Sequence, residues 1–75
     1  MSKTTKGGAL SALSPRERQV LKLVAEGNAR KEIAAILGIK PKSIDTYRSR
    51  IMAKLEIHDL AGLVRFAIRH GVIKP

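Results

Sequence analysis

The chain has 75 residues, 44% of them hydrophobic, and a formal net charge of +9. This length allows one small domain, and the lack of cysteine excludes a disulfide framework and a thiolate metal site and suits a reducing cytoplasm. No segment has the length and hydropathy to span a bilayer, and no signal-peptide pattern is present. The positive charge therefore predicts a nucleic acid as the partner, with an acidic membrane surface as the second choice.

The first nine residues are rich in Ser, Thr, Lys and Gly and show no apolar period. This composition predicts a flexible tail or the remnant of a linker, which we place at residues 1–12, followed by a single domain over residues 13–75. The domain shows no strand alternation. Its apolar spacing predicts four helices and therefore an all-α fold.

The first helix is predicted from Pro15 to Ala25. Ser14 suits the N-cap, Pro15 fits the first helical position, and Glu17 completes a capping box. Gly27 then ends the helix.

The second helix is predicted from Arg30 to Leu37, with Asn28 as its N-cap. Gly38 fits the position just past a helix end, where the backbone takes a positive φ. Three apolar residues are expected to face inward: Ile33, Ile36 and Leu37.

The third helix is predicted from Pro41 to Leu55, directly after a tight turn, which is the layout of a helix-turn-helix DNA reader. At about 100° per residue, one stripe is apolar and consists of Ile44, Tyr47, Ile51 and Leu55. The opposite stripe is small and polar: Lys42, Asp45, Thr46, Ser49 and Ala53. Such a stripe fits a major groove about 12 Å wide, while long cations beside it reach the phosphate walls.

The fourth helix is predicted from Leu60 to His70, with Asp59 as N-cap and Gly71 as its stop, after which the chain folds back onto the core. Its apolar residues cover a wider part of the helix circumference than a single core-facing stripe requires. The core stripe is predicted to be Leu60, Leu63, Val64 and Ala67. We expect a second face to meet its copy across a two-fold axis: Ala61, Val64, Arg65 and Ile68. The alternative is that Ala61 and Ile68 are scattered surface apolar residues, which are common.

Short motifs spread over residues 13–73 form a specific combination: Leu13-Ser14-Pro15-Arg16-Glu17-Arg18-Gln19-Val20-Leu21, Gly27, Lys31-Glu32-Ile33-Ala34, Leu37-Gly38-Ile39, Lys42-Ser43-Ile44-Asp45-Thr46, Lys54-Leu55, Ala61, Leu63, Ala67 and Gly71. Together they resemble the LuxR-type helix-turn-helix domain, also called the GerE or FixJ type. The resemblance implies a four-helix bundle with its third helix in the major groove of double-stranded DNA. It also implies a bacterial transcription regulator, often the output domain of a two-component response regulator or a quorum sensor.

Matched residue by residue, the resemblance implies base-facing side chains at Lys42, Asp45, Thr46 and Ser49. It implies backbone contacts at Arg30, Lys31, Lys40, Tyr47, Arg48, Arg50 and Lys54. Two positions depart from the family pattern. Lys40 replaces the usual Ser or Thr cap, so the start of the third helix is expected to fray unless Lys40 holds a phosphate. Tyr47 replaces a frequent His and is expected to keep its packing role.

Two interpretations of Asp45 stay open. Its carboxylate accepts a hydrogen bond from a base, for example a cytosine amino group, or it is an acid in the first helical turn that the helix dipole favours.

No catalytic constellation is visible, since His58 and His70 lie far apart in the sequence and no phosphate loop is present. We therefore predict that the protein is not an enzyme and has no metal and no cofactor. Two alternatives to the regulator remain: a sigma-factor-like promoter-binding domain, and a basic interaction module that docks an acidic partner. The expected partners are double-stranded DNA, a second copy on DNA and RNA polymerase, with no membrane. The expected location is the bacterial cytoplasm, on the nucleoid when bound.

Overall fold

The computed structural model describes residues 10–74, and the part of the predicted tail over residues 1–9 lies outside this range. From Pro15 to the end of the described range, four helices follow one another: α1 (Pro15–Ala25), α2 (Arg30–Leu37), α3 (Pro41–Leu55) and α4 (Leu60–Arg69). No strand occurs among the described residues. The predicted all-α fold is confirmed, and the helix bounds agree with the prediction except that α4 ends one residue earlier.

The core lies around α1, which packs on each of the other three helices, while α2 and α3 also pack closely on each other. Its buried side chains come from all four helices and from the segment that precedes α1: Leu13, Val20, Leu21, Val24, Ala25, Ile33, Ala34, Ile44, Ile51, Leu63 and Ala67. Complete burial of a large aliphatic side chain stabilises a fold by about 1.5–3 kcal/mol. This core holds α3 in a fixed orientation.

The chain before α1 and after α4 also packs on this core. Leu10 is half-buried against it, and the N–H of Leu13 donates to the Leu10 carbonyl at 3.1 Å. The predicted boundary between residues 12 and 13 stays a prediction. At the other end, Gly71 has a φ of +73°, and Val72 donates to the Ala67 carbonyl at 2.8 Å. The predicted fold-back after α4 is therefore confirmed.

The predicted caps of α1 and α4 are confirmed. The Ser14 hydroxyl accepts the N–H of Glu17 at 3.1 Å, and the Glu17 carboxylate accepts the N–H of Ser14 at 2.8 Å. Asp59 accepts the N–H of Gly62 at 2.8 Å. The bonds at both caps satisfy N–H groups that a helix start otherwise leaves unpaired, and those between Ser14 and Glu17 are reciprocal.

The predicted cap of α2 is wrong. Ala29, not Asn28, is the N-cap, and its N–H donates to the Glu32 carboxylate at 2.7 Å. The Asn28 side chain instead donates to the Leu23 carbonyl at 3.0 Å. Asn28 thus closes the end of α1, because the carbonyls of a last helical turn lack partners just as the first N–H groups do.

Two apolar residues that were expected to face the core are exposed. Ile36 is 59% exposed and Leu60 is 50% exposed. The buried face of α2 is centred between Ile33 and Ala34, and Ile36 lies about 110° away from that centre on the helix. Leu60 is the first residue of α4, at the rim of the bundle, where fewer neighbours cover it.

Candidate nucleic-acid interface

The turn between α2 and α3 is short and has a fixed geometry. Gly38 ends α2 with a φ of +69°, in the left-handed region that favours glycine. The N–H of Ile39 then donates to the Ala34 carbonyl at 3.0 Å, and Pro41 opens α3. The two helices therefore meet as the helix-turn-helix that the sequence predicts.

One side of α3 belongs to the core. Ile44 and Ile51 are completely buried, and Tyr47 and Leu55 are half-buried against the same cluster. The predicted apolar stripe is confirmed, including the packing role of Tyr47. The other side of α3 is left to the solvent.

The structure brings the predicted base-facing residues together on that solvent side. Lys42, Thr46 and Ser49 are exposed, and Asp45 is half-exposed between them. The Thr46 hydroxyl lies 3.5 Å from the Lys42 carbonyl, a distance too long for a strong bond, so the hydroxyl remains available to a ligand. These side chains are short or flexible and bear hydrogen-bonding groups, which is what contact with base edges requires.

The charge of α3 suits a phosphate backbone. The helix carries four cations and one acid, Asp45, and the cations are Lys42, Arg48, Arg50 and Lys54. Lys40, Lys31 and Arg30 add exposed positive charge at the starts of α3 and α2. The predicted backbone set is thus concentrated on the helix-turn-helix, and its contact with DNA stays a prediction.

Asp45 forms an ion pair with Arg30 across this motif. Nη1 of Arg30 lies 2.7 Å from Oδ2 of Asp45, and both side chains are about half exposed. Asp45 is the fifth residue of α3, and the first turn of α3 contains no acidic residue. The interpretation of Asp45 as a first-turn acid is therefore wrong, because the dipole effect falls off within that turn. The partner of the carboxylate is Arg30.

Lys54 forms the second ion pair of the described residues. Its Nζ lies 2.8 Å from Oε1 of Glu17 and 3.2 Å from the Ala12 carbonyl. The Lys54 ammonium and the N–H of Ser14 lower the pKa of Glu17, although burial acts in the opposite direction. Lys54 thus has a structural role that the sequence did not reveal. Its contact with the DNA backbone stays a prediction.

Arg48 lies at a small cleft beside the start of α2. The cleft has a volume of about 150 Å³ and is lined by Asn28, Ala29, Arg30 and Leu60, among others. Nε of Arg48 is buried and has no hydrogen-bond partner among the described residues. Two arginines therefore face one cleft at a helix N-terminus, an arrangement that favours an anion.

The predicted dimer face lies on α4 opposite its buried residues. Leu63 and Ala67 face the core, whereas Ala61 and Arg65 are exposed and Val64 and Ile68 are half-buried. His70 stacks on Phe66 with ring centroids 4.1 Å apart. The residues that the structure describes contain no cluster of His, Cys, Asp or Glu that could hold a metal, and none of their helices could cross a membrane.

The fold and this geometry agree with known proteins. The family model for bacterial regulatory proteins of the luxR family matches residues 11–67. A putative transcriptional regulator of Pseudomonas aeruginosa is 47% identical over 72 residues, which are 96% of this chain and 35% of that protein. The transcriptional regulatory protein FixJ of Azorhizobium caulinodans is 44% identical over 66 residues, 88% of this chain and 31% of FixJ.

A solved structure of a FixJ protein is also similar to this chain. The crystal structure of full-length FixJ from B. japonicum superposes with a TM-score of 0.81 at 38% identity, over 91% of this chain and 34% of that one. The chain spans about a third of the length of the relatives that it matches.

Proposed function

The chain belongs to the luxR family of bacterial regulatory proteins, and on this premise we propose that it reads specific sequences in double-stranded DNA and thereby regulates transcription. The observation that carries the proposal is the exposed polar side of α3, which is flanked by cations and held at a fixed angle by α2 and the core. In this arrangement α3 enters the major groove. The printed names of the relatives, which are transcriptional regulators, support the same conclusion.

In this proposal the roles divide by side-chain chemistry. Lys42, Asp45, Thr46 and Ser49 contact base edges, which carry the sequence information. The long cations and Tyr47 contact phosphates, which fix the register and supply most of the salt-dependent affinity. The backbone set is Arg30, Lys31, Lys40, Tyr47, Arg48, Arg50 and Lys54.

The proposal includes pairing on DNA. Two copies bind neighbouring half-sites and meet through the second face of α4, formed by Ala61, Val64, Arg65 and Ile68. This face is small, so binding to one duplex is needed to raise the local concentration of the two copies. We further propose that the domain works in the bacterial cytoplasm, on the nucleoid when bound, and that it contacts RNA polymerase there.

Selection of binding sites from random duplex DNA tests the proposal. The protein is mixed with the duplex pool at fixed salt, the bound fraction is amplified through several rounds, and the enriched site is compared with a scrambled duplex by titration. We expect an enriched sequence that binds at least about a thousandfold more tightly than the scrambled one. Equal affinity for every duplex at fixed salt would contradict the proposal and would favour a basic module that docks an acidic partner.

A further inference from the structure

Arg30 lies at a position where a positive charge is unfavourable. It is the first residue of α2, where the positive end of the helix dipole disfavours positive charge. Its guanidinium nevertheless lies 2.7 Å from the carboxylate of Asp45, which belongs to the second turn of α3. The ion pair therefore spans the helix-turn-helix and links the start of one helix to the polar side of the other.

Asp45 also lies at a position where its charge, which is negative, is unfavourable in the proposed complex with DNA. On the exposed side of a helix in the major groove, a carboxylate lies between two rows of phosphates, and like charges within a Debye length repel one another. Arg30 weakens the repulsion between the Asp45 carboxylate and the phosphates, because its guanidinium neutralises the carboxylate at short range. A distance of 2.7 Å is at the short end for a charge-assisted hydrogen bond, so the bond also orients the carboxylate.

The pair leaves hydrogen-bonding capacity on both partners. The bond uses Nη1 of Arg30 and Oδ2 of Asp45, so Oδ1 of Asp45 is a second acceptor and the guanidinium has further N–H donors. Both side chains are about half exposed. A phosphate is therefore able to contact Arg30 while a base amino group contacts Asp45.

We propose that Arg30 is a positioning residue for sequence reading: it holds and neutralises the Asp45 carboxylate so that Asp45 accepts a hydrogen bond from a base amino group, as in cytosine or adenine. This inference rests on the proposed function and adds to it, because Arg30 then sets base preference without contacting a base. Stability does not explain the pair, since exposed ion pairs contribute little to it.

If Arg30 only contacted a phosphate, its replacement would have a different effect on binding. A cation that binds a phosphate carries no sequence information, so its loss weakens binding to all duplexes alike. Lys31 is the matched control for this case. It is the next residue of α2, it is exposed, and it forms no ion pair among the described residues. Arg30→Gln and Lys31→Gln each remove one positive charge from the same helical turn.

The test uses the duplex that the wild type selects and a set of duplexes with each base pair changed in turn. Dissociation constants are measured at fixed salt for the wild type, Arg30→Gln, Lys31→Gln, Asp45→Asn and the double variant Arg30→Gln/Asp45→Asn. We expect Arg30→Gln and Asp45→Asn to reduce discrimination at the same base pair by about tenfold each. The double variant should lose little more at that base pair, and Lys31→Gln should lower affinity evenly. Thermal melts verify that each variant is folded.

The outcomes separate this inference from the proposed function. If the wild type discriminates but Arg30→Gln lowers affinity evenly, as Lys31→Gln does, Arg30 is only a phosphate contact and the inference is overturned. The inference is also overturned if Asp45→Asn changes preference at no base pair. If the wild type itself discriminates at none, the proposed function fails first and this inference with it.

Discussion

Nζ of Lys54 lies 2.8 Å from Oε1 of Glu17, which joins the last turn of α3 to the first turn of α1. The same carboxylate oxygen accepts the N–H of Ser14 and so completes the cap of α1. The side chain of Glu17 is 5% exposed, so these bonds replace the water that a carboxylate otherwise binds. The position of α3 thus depends on a residue that lies 37 positions earlier in the chain.

Glu17 should make the domain sensitive to acid. The pKa of Glu17 is lowered in the fold by Lys54 and by the N–H of Ser14. A lowered pKa contributes stability above the unfolded-state value of about 4.3, and this contribution is lost as the pH falls through the folded-state pKa. We expect Glu17→Gln to be less stable than the wild type at pH 7, and the difference to shrink as the pH falls below about 4. Thermal melts of both proteins from pH 7 to pH 2.5 measure this difference; parallel curves would contradict it.

Lys54→Met should destabilise the fold rather than only weaken DNA binding. Methionine keeps an apolar stem but removes the ammonium, so the buried carboxylate of Glu17 loses its charged partner. We expect the free energy of unfolding in urea to fall by about 2 kcal/mol. Lys42→Met on the same helix is the control, since Lys42 is exposed and forms no ion pair among the described residues. Equal stability of the two variants would show that the Lys54–Glu17 pair contributes nothing.

Lys40→Ser should stabilise the free domain. Lys40 is the N-cap of α3 but provides no side-chain hydrogen bond to the helix. A serine hydroxyl there accepts one of the unpaired N–H groups and removes a positive charge from the positive end of the dipole, which together amount to about 1 kcal/mol. Ser14→Ala is the reverse case and should cost about 1 kcal/mol by breaking the capping box of α1. Urea unfolding of both variants gives the comparison, and a Lys40→Ser protein no more stable than the wild type would contradict the prediction.

Base preference should depend on the short polar residues of α3. Thr46→Ala and Ser49→Ala remove hydroxyls from its exposed side, and each should change preference by about 1–3 kcal/mol per affected base pair. Arg50→Ala removes an exposed cation beside them and should weaken binding to all sequences alike, with a fall of about one unit in the salt slope. Titrations of the selected and altered duplexes at several salt concentrations distinguish these effects. A changed preference in Arg50→Ala with none in the hydroxyl variants would reverse the assigned roles.

The features that the sequence predicted correctly depend on residues close together in the chain. The capping box of Ser14 and Glu17, and the glycine turn that ends α2 at Gly38, each lie within a few positions. Helical periodicity gives the angle between residues on one helix, but it does not say which neighbours cover them. For this reason the sequence predicts that Ile36 and Leu60 face the core, whereas both are exposed in the structure.

The features that the sequence missed depend on tertiary structure. The pairs Arg30–Asp45 and Lys54–Glu17 join residues 15 and 37 positions apart, and many cations in this basic chain could have been their partners. The sequence did contain a local signal for the Lys54–Glu17 pair. Glu17 lies on the apolar face of α1, and this position predicts a buried carboxylate that needs a partner.

Ile68→Glu should abolish cooperative binding to a duplex that carries two half-sites. Ile68 is half-buried on α4 and shares the face of Ala61, Val64 and Arg65, away from the core. A glutamate there would place two carboxylates near the two-fold axis, where burial and mutual repulsion oppose pairing. The fold and the affinity for a single half-site should remain close to those of the wild type, because neither depends on this face. Gln19→Glu is the control, since it makes the same change of charge at an exposed position of α1. Titrations of single-site and two-site duplexes measure cooperativity, and unchanged cooperativity in Ile68→Glu would refute pairing through α4.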